Sequence, residues 1–97
     1  MVTIRRGGFE WDVAKRAFNL AKHGLDFMDV GEFDLAEAVH EEQDVGGEQR
    51  TLSIGLLSER VCAMVWTWRG DRIRVISLRK ANARETKRYV EASGSDS

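Results

Sequence analysis

Residues 50–79 hold three β-prone stretches in close succession: 50–57 (RTLSIGLL), 60–68 (RVCAMVWTW) and 72–79 (RIRVISLR). Gaps this short join only antiparallel neighbours, so the three form a meander. Leu52, Ile54 and Leu56 alternate with smaller or polar residues, as a strand with one buried face requires. The 60–68 stretch is almost continuously apolar, which suits a central strand covered on both faces. ArgGlyAsp at 69–71 supplies a tight turn. Upstream, 36–42 (AEAVHEE) fits a charged edge strand that discourages edge-to-edge pairing, and 44–49 (DVGGEQ) is loop-like.

The flanks predict helices. Asp12 is a good N-cap, and Trp11, Ala14, Phe18, Ala21 and Leu25 recur at three- and four-residue steps, predicting a core-facing stripe that stops at Gly24. Asp26 caps a second, shorter helix with Phe27, Val30 and Phe33 on one side. Residues 2–6 read as a short first strand, and 81–92 as a closing helix with a modest apolar stripe that includes Tyr89. The sum is a small α+β domain over residues 1–92, with a flexible tail at 93–97.

At 97 residues the chain has room for one modest core. No apolar run approaches the roughly 20 residues that span a bilayer, and no signal-peptide pattern follows the first residues, so a cytoplasmic protein is expected. Cys62 is the single cysteine, in an apolar run, and no His/Cys spacing suits zinc. No metal and no cofactor are expected. The net charge of -1 conceals an asymmetry: residues 26–48 carry nine carboxylates and no Lys or Arg, whereas 69–88 carry eight basic side chains against Asp71 and Glu85. A near-neutral total therefore does not argue against a polyanionic partner, provided the basic groups converge in the fold.

No Gly-rich phosphate loop, nucleophile elbow or HExxH helix is present. Three blocks carry a more specific signal: FEWDVAKRAFNLAKHGLDF (9–27), EQRTLSIG (48–55) and RIRVISLRKANARETKRY (72–89). In this order they closely resemble the BrnT family, the ribonuclease toxins of type II toxin–antitoxin pairs. The sequence departs from the family pattern in lacking a proline after the second helix and in having Leu78 where a small residue is commoner. The resemblance implies a RelE-like fold: a small twisted antiparallel β-sheet with two N-terminal helices and one C-terminal helix. It also implies RNA cleavage leading to growth arrest. The implied partner is a BrnA-like antitoxin that silences the toxin and contacts operator DNA on its behalf.

Metal-independent cleavage of RNA asks a protein to hold the strand in line, neutralise a phosphorane and move two protons. Arginine suits the second task, since its planar fork stays charged and binds phosphate oxygens in pairs. Arg79 is the first candidate and Arg74 the second; Lys22, Arg50, Lys80 and Arg84 are candidates for gripping the strand. Arg74 and Arg79 lie an odd number of residues apart, so they share a face only if a bulge or the end of pairing near Ser77 intervenes; otherwise one of them is structural. His23, Tyr89, Glu85 and Lys22 are the candidates for proton transfer. The structural alternatives are a helix C-terminal cation for His23 and, for Glu85 and Tyr89, an ordinary helix pair with the ring packed on the sheet. A non-catalytic RNA-binding or protein-interaction module would use the same basic surface.

Overall fold

The computed structural model describes residues 2–94. The strands are β1 (Thr3–Arg6), β2 (Phe9–Asp12), β3 (Val39–Val45), β4 (Glu48–Leu57), β5 (Arg60–Arg69) and β6 (Arg72–Lys80). Helix α1 spans Val13–His23, a single 3-10 segment spans Phe27–Glu32, and α2 spans Ala83–Gly94. The helix α2 thus takes in Ser93 and Gly94, and the rest of the expected tail, 95–97, lies outside the described residues.

The sheet order is β1-β2-β6-β5-β4-β3. The meander β3–β6 follows the sequence pattern in order, with β5 inside and β3 at the edge, but 44–49, read as a loop, is a hairpin: Asp44 pairs with Gln49 and Val45 with Glu48, and only Gly46 and Gly47 turn. The rest corrects the expected RelE-like arrangement. The sheet is mixed, because β2 runs parallel to β6 with Phe9 opposite Ile73 and Glu10 opposite Arg74. Residues 9–12, read as the approach to a helix, are a strand, which a turn at Gly7–Gly8 pairs with β1. Alternation explains this: Trp11 enters the core while Glu10 points to the opposite side, as in an extended segment. The second N-terminal helix is only the 3-10 turn. Six residues that include Gly31 cannot repay the cost of nucleating an α-helix, although the Asp26 carboxylate does cap the turn through the Met28 N–H at 3.0 Å.

The principal core lies on one face of the sheet, where Trp11, Phe27, Val30 and Phe33 meet Leu57, Cys62, Met64, Trp66, Val75 and Leu78. Burying each large side chain contributes about 1.5–3 kcal/mol. Leu78, the departure from the family pattern, is completely enclosed there. On the opposite face α2 lays Tyr89 over Leu52, Ile54 and Ala63.

Helix α1 also departs from expectation. Ala14, Phe18 and Ala21 of the anticipated core stripe are exposed, Phe18 at 68%, and Asn19 is the helix's one buried residue. The reason lies at the edge of β6. β2 pairs with β6 only at Ile73 and Arg74, and beyond them the backbone needs another partner. Asn19 provides it. Its Oδ1 accepts from the Leu78 N–H at 3.1 Å, and its Nδ2 donates to the carbonyls of Leu78 at 2.8 Å and Leu25 at 3.0 Å. The amide acts as a one-residue strand, and α1 ends just beyond it at Gly24, whose φ of 72° suits glycine.

Candidate nucleic-acid interface

A single irregularity in β6 shapes the face that α2 partly covers. Thr67 pairs with Arg74, Trp66 with Val75, and Val65 with Ser77, so Ile76 is an extra residue on β6. Past the bulge Arg79 pairs with Ala63. The partners Thr67, Val65 and Ala63 are spaced by two, so Arg74, Ser77 and Arg79 form one row on one face, about 13 Å from end to end. The same registers put Arg50 and Gln43 on this face, with Leu52 and Glu41 beside them.

α1 forms one wall. A groove of about 490 Å³ runs between Ala14, Lys15, Phe18, Asn19, Lys22 and His23 of the helix and Ile76 and Ser77 of the bulge. Lys22 and His23 therefore reach the middle residue of the arginine row. Lys15 lies near enough to act on Glu48 across the sheet. That carboxyl is held below the usual range mainly by the hydrogen bond and charge of Arg50, with Arg69 and Lys15 adding. At the other end a second, polar groove is lined by Glu41, Gln43, Arg79, Asn82, Arg84, Glu85 and Arg88. Between the two helices this face is thus a trough with cationic walls.

The arginines in it are paired. Arg74 donates from Nη1 to Glu10 Oε2 at 2.7 Å, and both side chains are nearly enclosed. Arg79 forms a two-pronged pair with Glu85, Nη1 to Oε1 at 2.8 Å and Nη2 to Oε2 at 2.9 Å. Its hydrogen bond to Glu85 raises the Arg79 pKa despite partial burial, and reciprocally depresses that of Glu85. Glu85 also closes a reciprocal cap at the start of α2. Its Oε1 accepts from the Asn82 N–H at 3.0 Å while Asn82 Oδ1 accepts from the Glu85 N–H at 2.8 Å. The carboxylate that starts the helix is thereby the one that aims Arg79. Arg50 donates to Glu48 at 2.6 Å.

Among the candidates from sequence, Arg50, Arg74, Arg79 and Arg84 come to this face, and Lys22 and His23 to its wall. Lys80 does not: it pairs with Cys62, whose side chain belongs to the opposite core. Tyr89 is 8% exposed and packs on Leu52, Ile54 and Ala63, the structural alternative held open for it. Glu10, Lys15, Ser77 and Asn82 were not selected for the site from sequence. The only signal was indirect, the odd spacing of Arg74 and Arg79, which left open a bulge near Ser77, an end of pairing there or a structural role for one of them; the bulge is what forms. Among the described residues no three His, Cys, Asp or Glu side chains gather as metal donors, and no helix is long and apolar enough to cross a membrane.

A sheet face that sets several guanidinium groups between helices bearing Lys15, Lys22, Arg84 and Arg88 has the chemistry that binding an anionic polymer requires. The family comparison is more specific: residues 11–85 match the model of the ribonuclease toxin BrnT, of type II toxin–antitoxin systems. The chain belongs to this family, and family membership brings ribonuclease activity, an RNA substrate and an antitoxin partner. No curated protein matches it at a significant level.

Proposed function

We propose that this protein is a metal-independent endoribonuclease that cuts RNA in the trough between α1 and α2, arrests growth, and is neutralised by a BrnA-like antitoxin through which it meets operator DNA. One observation supports this reading above the others: the bulge at Ile76 turns Arg74, Ser77 and Arg79 into a single row beside the groove that holds Lys22 and His23.

In the reaction the ribose 2′-oxygen attacks the adjacent phosphorus and the bond from phosphorus to the 5′-oxygen breaks. The products are a 2′,3′-cyclic phosphate and a 5′-hydroxyl. The proton lost by the 2′-hydroxyl and the one gained by the leaving oxygen balance. Arg79 has the right chemistry to stabilise the phosphorane: Glu85 uses Nη1 and Nη2 and orients the fork. Arg74, braced by Glu10 at the far end of the row, meets a neighbouring phosphate, while Lys22, Arg50 and Arg84 hold the strand. His23 is the proton-transfer group in this scheme, half-buried at the end of α1. Lys80 and Tyr89 have no role in it.

The test is cleavage of a structured RNA by the purified chain in EDTA. Arg79→Ala should slow it about 10²- to 10³-fold, with an unchanged circular dichroism spectrum, and His23→Ala about 10²-fold or more. RNA left whole at low salt would overturn the proposal. The carboxylates already bound to Arg74 and Arg79 favour one second reading, a non-catalytic RNA-binding module. It predicts retention of RNA that falls steeply with salt and no cut products.

A further inference from the structure

The apolar side of α1 faces away from the protein. Val13 and Leu20 are 40% and 41% exposed and Phe18 68%, with Ala14, Ala17 and Ala21 exposed beside them, while the opposite side sends Asn19 into the edge of β6. A helix this amphipathic normally buries its apolar stripe. Here the stripe is left without a cover, and it continues through Ala14 and Phe18 into the groove that ends at Ser77.

Its flanks identify what would cover it. α1 contains no Asp or Glu. Lys15 and Lys22 border the stripe, the Lys22 ammonium stands 5.8 Å from the centre of the Phe18 ring, and His23 closes the far end. Arg16 is drawn to the other side by Asp26 at 2.7 and 2.9 Å. An apolar strip edged along one side by two lysines complements an acidic segment with apolar residues on one side. A second copy of this helix fits badly, because Lys15 and Lys22 would meet like charge. A single-stranded nucleic acid could stack on Phe18 but would gain nothing from Val13, Ala17 and Leu20.

We propose that the outward face of α1 docks the antitoxin, through an amphipathic acidic segment of that partner laid along the helix. The proposal rests on the toxin reading only in taking the antitoxin as the occupant. Because the stripe runs into the groove beside the arginine row, a segment seated there also covers the entrance to the trough. Neutralisation is then obstruction from the α1 side.

The experiment uses the full chain and the protein encoded by the antitoxin gene of the same pair. Ala17→Glu and Leu20→Glu change exposed positions outside the groove and suit a helix. Each should weaken the complex about 30-fold or more while RNA cleavage by the isolated toxin stays within about twofold, so that the antitoxin no longer rescues growth. Complexes within about threefold of the unaltered affinity would overturn the proposal. Loss of cleavage by folded variants would assign the face to RNA, and self-association of the unaltered chain that the variants abolish would assign it to a second copy; both overturn it. If the unaltered chain leaves RNA intact, the nuclease reading fails, yet the binding comparison still decides the docking surface.

Discussion

Replacing Asn19 tests the link between α1 and the sheet most directly. Its amide is 4% exposed and makes three hydrogen bonds, two with the Leu78 backbone and one with the Leu25 carbonyl. Asn19→Ala leaves the Leu78 N–H and two carbonyls without these partners in a nearly water-free place. At about 1 kcal/mol for each lost bond, and more for a group left buried and unpaired, the sum is about 3–4 kcal/mol. A domain of this length has about 5–10 kcal/mol in all, so the loss approaches half of it. Urea unfolding followed by fluorescence of the enclosed Trp11 and Trp66 should show the midpoint falling with little change in slope. Asn19→Asp sharpens the test. A carboxylate there still accepts from the Leu78 N–H but turns an oxygen toward two carbonyls, so at pH 8 it should be at least as damaging as alanine. Desolvation and the carbonyls raise the folded-state pKa of that new carboxyl above its unfolded value. Stability is then regained as pH falls through the raised pKa, and the Asn19→Asp chain should be more stable at pH 5 than at pH 8. A loss under about 1 kcal/mol for Asn19→Ala, or equal stability of the Asp variant at both pH values, would refute the claim that the amide completes the sheet edge.

Three further outcomes are expected. The Arg16 hydrogen bond, opposed by desolvation and helped by the Met28 amide, lowers Asp26 to about 2. The stabilisation is therefore present above the unfolded value near 3.9 and lost as pH falls toward 2; with the pair partly exposed, Asp26→Asn should cost about 1 kcal/mol at pH 7 and flatten this part of an acid titration of thermal stability. Gly55→Ala would place a Cβ 3.0 Å from the Ala38 Cβ, 3.1 Å from the Asp34 carbonyl oxygen and 3.2 Å from the Phe33 ring, so calorimetry should show a loss of about 1–3 kcal/mol. Burial pushes the Cys62 thiol up against the opposing charges of Arg60 and Lys80, so a disulfide reagent should label it at the rate of unfolding rather than at the rate of a free thiol.

Much of the meander was legible because its signals are local: alternation in 50–57, continuous apolarity in 60–68 and a turn at 69–71. The parallel pairing of β2 with β6 was not, because nothing near Phe9 reports a partner more than sixty residues away. The stripe on α1 misled for a related reason. Periodicity reveals that a helix is two-sided but not which side meets the protein, and here one buried asparagine outweighs Phe18. In the site, the parity of Arg74 and Arg79 showed that a regular strand would part them, but not whether a bulge or an end of pairing would reunite them. Their carboxylate partners were not legible, since Glu10 reaches Arg74 only through the long-range pairing, and Glu85, a candidate for proton transfer in the sequence, turns instead to Arg79.

The two contacts that set the arginine-bearing face in place, Glu10 to Arg74 and Asn19 to Leu78, join residues 10–19 to residues 74–78. A nascent polypeptide that has not yet exposed β6 has neither the row of guanidinium groups nor a seat for α1. Synthesis itself thus delays assembly: the face on which the proposed cleavage depends forms only after β6 has emerged from the ribosome, and proteolytic loss of that strand undoes it in one cut.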